Sequence, residues 1–217
     1  MTVRAALRSA LGELYRNSWR LLVLNSAVTA VICLVVLATN SLPPALLIAP
    51  LVAGPGVAAL VHCCVTLIRE DEFAFADAFQ GLRLYWRRGL VLGGLFGAGL
   101  LLGLLAVSFY STGSHRALPL AVFSAYVVSV FCLFLLVAWP LAVSDPDVRL
   151  TDALQAAAML LLRSPVRLLT LGAVLLLVNA LGTVTVLPLL TFTLAYSFLA
   201  AGHVVLPLST IQEEVTT

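Results

Sequence analysis

The chain contains no lysine and little charge of any kind. Of its 217 residues, 10% are charged and 62% are apolar, and all twelve basic residues are arginine. A soluble domain of ordinary composition is about 25% charged and 45–50% apolar. This chain has too little polar surface to cover a water-soluble core, which excludes a soluble protein. The net charge of +2 is too small to indicate a nucleic-acid partner.

Recognisable catalytic and metal-binding patterns are also missing. All four cysteines fall inside apolar runs, which is typical of packing residues and not of a disulfide framework. His62, Cys63 and Cys64 are adjacent, without the second pair of ligands that a zinc or iron-sulfur site needs. We find no nucleophile with its base, no phosphate-binding loop and no cofactor fingerprint. The sequence therefore predicts a non-catalytic protein without metal or cofactor.

Long uncharged runs dominate the chain. A membrane-spanning helix needs about 20 mostly apolar residues. The uncharged runs are residues 21–68, 90–110, 117–143 and 168–212. The first is long enough for two spans divided by the polar and proline-rich residues 39–44, and the last for two spans divided near Gly182, Thr183 and Pro188. We expect six spans, or five if the last run is one span plus an interfacial segment.

Arginine is distributed very unevenly around these runs. Eleven of the twelve arginines and every acidic residue lie before the first span, between the second and third, between the fourth and fifth, or at the carboxyl terminus. Only Arg116 lies on the other side. Because cytoplasmic loops carry the excess of positive charge, we expect both termini in the cytoplasm and the chain in a bacterial plasma membrane. Two cytoplasmic termini require an even number of spans, which favours six.

An aromatic segment precedes the third span. Residues 75–88 carry four apolar side chains at helical spacing, with arginines on other faces. The pattern predicts a separate interfacial helix that contacts lipid. Its apolar residues are Phe75, Phe79, Leu82 and Trp86, and its lipid-contacting arginines are Arg83, Arg87 and Arg88.

Two other charged segments have a similar pattern. Near the amino terminus, an apolar face of Val3, Leu7, Leu11 and Leu14 is predicted opposite Arg8, Arg16 and Glu13. Residues 152–162 form a more apolar segment, which we expect to be buried between spans.

Short sequence matches relate the three segments. Residues 77–80 (DAFQ) match 152–155 (DALQ) at an offset of 75, and residues 16–22 match 163–169 at an offset of 147. The sequence thus predicts one integral membrane domain, residues 1–217, divided into repeats at about 1–68, 69–143 and 144–217. The expected fold is an all-α, polytopic transmembrane bundle of three parallel repeats. Each repeat is an interfacial amphipathic helix followed by an arginine-bounded turn and a transmembrane hairpin.

Few polar groups fall inside the spans. Asn25 and Asn179 are candidates for interhelical hydrogen bonds, or alternatively for contacts with a substrate. No span contains a charged side chain, which argues against proton-coupled transport.

Proline and glycine mark two further features of the spans. Pro50, Gly54, Pro55 and Gly56 predict a kink in the second span, or alternatively a broken helix that lines a cavity. In the third span, the spacing of Gly93 with Gly97 and of Gly99 with Gly103 predicts close helix packing.

The order of segments resembles that of a known family. Residues 41–50, then Gly54 to Leu60, then a charged turn and the aromatic segment 75–88 resemble the YesL-like family of bacterial integral membrane proteins of unknown function. The chain departs from the family pattern in lacking an aromatic residue soon after Asn25 and in its proline-rich second span. The resemblance implies an accessory role beside a carbohydrate ABC transporter.

Two functions remain in view from the sequence. The first is a non-catalytic membrane protein whose partners are the lipid bilayer and another membrane protein, reached through its cytoplasmic helices. The alternative is a channel or small-solute transporter with the interrupted second span at its centre.

Overall fold

The computed structural model describes residues 2–39, 42–112, 117–185 and 192–216, and all regular structure within these ranges is helical. The eight helices are α1 (Val3–Arg16), α2 (Ser18–Thr39), α3 (Leu42–Glu70), α4 (Phe75–Ser111), α5 (Leu118–Ser144), α6 (Leu150–Arg163), α7 (Pro165–Thr185) and α8 (Leu194–Thr216).

Several of these helices are apolar and long enough to cross a membrane. Within the described residues α2, α3 from Leu47, α4 and α5 each meet that requirement by length and composition. Helices α6 and α7 meet it together, but they are bent by 101° at Ser164. The described apolar part of α8, Leu194–Pro207, is shorter. Over the ranges that the structure describes, the chain is therefore all-helical, with four long apolar helices, or five if the bent pair is one span.

Helix boundaries near the first and fourth predicted spans agree with the sequence. Helix α2 ends at Thr39 and α3 begins at Leu42, so the first uncharged run divides where its polar residues and prolines predict. Helix α5 covers 118–144, within one residue of the predicted span at each end.

Helix α4 corrects the prediction for residues 75–110. We expected an interfacial helix over 75–88, then a turn and a separate span, but the structure contains one helix of 37 residues. Its length is about 55 Å, well beyond the roughly 30 Å of hydrocarbon in a bilayer. Gly89, at the expected turn, is buried inside the helix because α3 lies against it.

The division of the last uncharged run also differs from the prediction. Gly182 and Thr183, expected at the break, lie within α7, which continues to Thr185. Pro188 lies outside the described residues.

The centre of the bundle is formed by α3, α5 and α8, each of which contacts the other two. Their facing residues are mostly small or aliphatic, including Leu60, Val137 and Leu199, and are nearly or fully buried. Helices α2 and α7 pack around these three. A few of their leucines, such as Leu21 and Leu171, are buried in the core, but many of their leucines and valines are exposed. Such exposed apolar surface is expected where a helix faces lipid.

Each amphipathic segment packs on one of the central helices. Helix α1 contacts α8, the first half of α4 contacts α3, and α6 contacts α5. We expected α6 to be buried between spans. In the structure only one face of it is buried, through Ala153, Ala157 and Leu160, while Leu162 is exposed.

The inward face of α1 differs from the predicted apolar face. Ala6, Ala10 and Leu14 are buried, but Leu11 is exposed and Glu13, expected on the polar face, is buried. Glu13 Oε1 lies 2.9 Å from His203 Nε2 of α8, without hydrogen-bond geometry, and within the described residues Glu13 Oε2 has no hydrogen-bond partner. Helical periodicity predicted that Glu13 would be exposed. It could not predict the burial, because His203, the residue that Glu13 meets, lies on α8 and comes close only in the folded bundle.

Candidate functional site

The first half of α4 buries two small residues and a tyrosine, and it exposes several of its other large residues. Ala78, Gly81 and Tyr85 pack inward, and a Cβ added to Gly81 would lie 2.8 Å from the Cβ of His62. The His62 and Tyr85 rings are 5.4 Å apart. A glycine at this position lets the two backbones approach closely. The packing face is therefore not the aromatic face that the sequence pattern highlights.

The aromatic face of α4 is exposed. Phe79, Leu82 and Trp86, which we call the α4 aromatic surface, all point away from α3, and Phe79 is 75% exposed. The guanidinium carbon of Arg87 lies 5.2 Å from the centre of the Trp86 ring, a cation–π distance. Arg83 is also exposed.

Phe75 connects this surface to the start of α2. It is partly buried, and its ring packs edge-on against Trp19 at 5.3 Å between centroids. Trp19 is itself exposed. Aromatic surface therefore extends from α4 to the start of α2.

We predicted that Arg88 contacts lipid, but its side chain binds other parts of the protein. Its terminal nitrogens donate hydrogen bonds to four backbone carbonyl oxygens at and beyond the end of α5. The acceptors are Ala142 (2.7 Å), Asp145 (2.8 Å), Pro146 (2.6 Å) and Val148 (2.6 Å). A guanidinium is suited to this role because its donors are rigidly arranged and its charge complements the negative end of a helix.

Two other arginines bind connecting segments in a similar way. Arg20 donates to the Phe73 carbonyl at 2.5 Å, and Arg69 donates to the Ser144 carbonyl at 3.0 Å. The sequence located these arginines beside the spans, which indicated orientation. It did not predict their acceptors, because backbone carbonyls have no sequence signature.

The two predicted intramembrane asparagines both reach the start of α8. Asn25 is fully buried, and its side-chain oxygen accepts a hydrogen bond from the Ala195 amide at 3.2 Å. Asn179 donates to Ser197 Oγ at 3.0 Å and to the Leu175 carbonyl at 2.8 Å. The structure thus places both residues in interhelical hydrogen bonds. The bond from Asn25 therefore links α2 to the second residue of α8.

Helix α3 continues without interruption through Pro50, Gly54, Pro55 and Gly56, which favours the kink over the broken helix. The four residues have different surroundings. Gly54 lies against Gly89, and the Pro50 carbonyl lies against Gly93, so closely that none of these three glycines has room for a Cβ atom. Gly56 faces Val28 of α2. Predicted close packing is confirmed at Gly93, and also at Gly99 and Gly103, which face α5.

A cavity of 770 Å³ lies between the outer helices and the central three. Its wall includes Pro50 and Gly54 of α3, Phe96 of α4, Trp139 of α5, Gly172 of α7 and Phe198 of α8. Most of the lining is hydrocarbon, with a few polar side chains that include Asn179 and Ser197. The volume falls within the roughly 300–1,000 Å³ typical of small-molecule sites.

Comparison with protein families, curated proteins and solved structures finds no match. The resemblance to the YesL-like family therefore stays a prediction. Within the part of the chain that the structure describes, no three His, Cys, Asp or Glu side chains come together in a way that could hold a metal ion.

Proposed function

We propose that the chain crosses a bacterial plasma membrane six times, as three parallel repeats with both termini in the cytoplasm. In this arrangement the hairpins are α2–α3, the second half of α4 with α5, and α7–α8. On the cytoplasmic side, each hairpin is preceded by an amphipathic segment, which is α1 for the first, the first half of α4 for the second and α6 for the third.

Helix bounds support the repeat. Helix α1 covers 3–16 and α6 covers 150–163, so both ends match at the offset of 147 that the sequence gives. The buried residues Ala6 and Ala10 correspond to the buried Ala153 and Ala157 at the same offset. Helix α4 begins at residue 75 and α6 at 150, which reproduces the offset of 75.

The pattern of helix contacts supports it further. Each amphipathic segment packs on the second helix of the preceding hairpin, and α1 closes the circle by packing on α8. Such a cyclic order is expected of parallel repeats arranged around an axis normal to the membrane. The central contacts among α3, α5 and α8 then lie around that axis.

The function that this arrangement supports best is that of a non-catalytic interaction protein. The supporting observation is the exposed α4 aromatic surface on a helix that continues beyond the bilayer. Phe79 lies two residues before Gly81, which packs against His62 of α3, so Phe79 is level with the arginine-bearing end of the α3–α4 pair. A large exposed apolar side chain there, beside exposed arginines, is typical of a protein-binding surface.

The resemblance to the YesL-like family suggests which partner binds there. It points to a carbohydrate ABC transporter in the same membrane. Arginines 83 and 87 beside the aromatic side chains suit a binding surface, because aromatic residues and arginine are enriched at interfaces.

Co-purification from native membranes in mild detergent tests this proposal. Phe79→Ala should abolish recovery of a stoichiometric partner, because it removes the most exposed ring of the α4 aromatic surface. Phe109→Ala is the matched control, since Phe109 is 73% exposed on the same helix but at its opposite end. Recovery of the parent without any partner, or equal loss with both variants, would contradict the proposal.

A channel or small-solute transporter is the second candidate, and the cavity of 770 Å³ is the observation that favours it. The apolar lining argues against a charged or strongly polar solute, because such a solute would lose hydration without compensating contacts. Flux of a neutral solute from liposomes that contain only the pure protein would support this function over the first.

A further inference from the structure

We propose that the cavity of 770 Å³ is a binding site for one hydrocarbon chain of a bilayer phospholipid. This inference does not depend on the α4 aromatic surface, which lies elsewhere on the molecule.

The position of the cavity gives a lipid chain access. Its lining includes buried groups, such as Leu133 and Trp139 of α5, and exposed ones, such as Tyr126 of α5 and Leu176 of α7. The exposed residues lie within apolar helices that face outward. The cavity therefore extends from the interior of the bundle to a surface that meets the bilayer, so that a chain can enter sideways from the lipid.

The chemistry of the lining selects an apolar occupant. Gly54, Gly93 and Gly172 contribute almost no side chain, and Phe96, Trp139 and Phe198 contribute ring surface. Water gains few hydrogen bonds against such a wall, and apolar cavities of this kind stay dry. The Asn179 amide donates to Ser197 and to its own helix, so these polar side chains bond within the protein at the edge of the cavity.

Packing supplies the driving force. A chain leaves one apolar environment for another, so the hydrophobic effect contributes little within a membrane. An unfilled cavity loses the dispersion contacts of every atom that lines it, and a flexible hydrocarbon chain restores them. Gly54 and Gly93, at the close contact between α3 and α4, line the cavity without filling it, because they have no side chain.

Trp139 provides the probe. It is 6% exposed and lines the cavity, whereas the other two tryptophans, Trp19 and Trp86, are exposed and do not line the cavity. With Trp19→Phe and Trp86→Phe, Trp139 becomes the sole tryptophan. The protein is then reconstituted into bilayers of phospholipids brominated along their acyl chains, which quench tryptophan on contact.

The expected result is loss of Trp139 emission in brominated bilayers. Ala173→Phe, which adds a ring at the cavity wall on α7, should restore much of that emission. Ala30→Phe is the control, because Ala30 is exposed on α2 and does not line the cavity.

Three outcomes would overturn the proposal. The first is undiminished Trp139 emission in the brominated bilayers. The second is quenching that Ala173→Phe leaves unchanged, which would come from lipid outside the cavity. The third is quenching by aqueous acrylamide in place of the brominated chains, which would indicate a cavity filled with water.

Discussion

Arginine side chains occupy two different environments in this protein. Arg83 and Arg87 are exposed on α4, beside aromatic rings. Arg20 and Arg88 instead donate hydrogen bonds to backbone carbonyls in the last turn of α5 or in the connections that follow α3 and α5. Both kinds lie at the ends of spans and look alike in sequence, so local pattern cannot separate them.

Replacing Arg88 should test the second environment. Arg88→Ala leaves four carbonyl oxygens without their charged donor, and hydrogen bonds to charged groups are each worth about 1.5–3 kcal/mol. Since water can reach some of these oxygens, we expect a net loss of about 2 kcal/mol in the free energy of unfolding. Thermal unfolding in detergent, followed by circular dichroism, measures it.

The neighbouring Arg87 supplies the control for this experiment. Arg87→Ala removes the same charge but only a cation–π contact with Trp86. Arg88→Lys should recover only part of the stability, because one ammonium group has three donors and no planar fork. Equal destabilisation by Arg87→Ala and Arg88→Ala would show that the carbonyl contacts contribute nothing specific.

Helices α3 and α4 pack so closely that their contact requires glycine. Gly54, Gly89 and Gly93 meet backbone to backbone, so that α3 and α4 touch without intervening side chains. In lipid, where apolar side chains gain little by leaving the bilayer, such close packing is a principal source of helix association.

The adjacent glycines 93 and 94 allow a matched test of this contact. A Cβ at Gly93 would collide with the Pro50 carbonyl and lie 3.1 Å from Gly54 Cα, and this backbone cannot move aside easily. A Cβ at Gly94 would meet only a Leu51 methyl group at 3.3 Å. We expect Gly93→Ala to destabilise the protein by about 1–3 kcal/mol and Gly94→Ala to have little effect. Equal thermal midpoints for the two variants would contradict the close contact.

Much of the helix layout could be predicted from the sequence because a bilayer makes length and polarity decisive. The division between α2 and α3 and the bounds of α5 follow from uncharged runs and turn residues. The continuity of α4 could not be predicted in this way, because a glycine that follows arginines, as Gly89 does, resembles a helix end. Only the fold reveals that Gly89 accommodates Gly54 of α3.

The candidate site was predictable in part for a related reason. The spacing of Phe79, Leu82 and Trp86 identified one face of α4, and the structure exposes it. The partners of Asn25, Asn179 and Arg88 depend on helices distant in the chain, which no local pattern specifies. The cavity likewise arises from the arrangement of six helices and has no sequence signature.

For the molecule as a whole, the proposed six-span topology predicts which residues face the cytoplasm. In a variant without the native cysteines, Ser111→Cys should react with a membrane-impermeant maleimide in intact cells. Asp147→Cys should react only after the membrane is permeabilised, because the positive-inside rule places it with the arginines. Both positions are exposed, so burial does not limit labelling.

Cysteines at the two ends complete this measurement. Thr2→Cys and Thr217→Cys should both behave like Asp147→Cys, since six spans return the chain to its starting side. Labelling of Thr217→Cys in intact cells would instead require an odd number of spans, as in the alternative with five.

The continuity of α4 also has a mechanical consequence. Helix α4 is continuous over about 55 Å, and its midpoint falls at Gly93, where the backbone of α3 contacts it. Phe79 and Phe109 lie toward the two ends of α4, on either side of this contact. A sideways pull on Phe79 by a bound partner would therefore swing Phe109 in the opposite direction, so that movement at one end of α4 reaches the other end without any ion or solute passing through the protein.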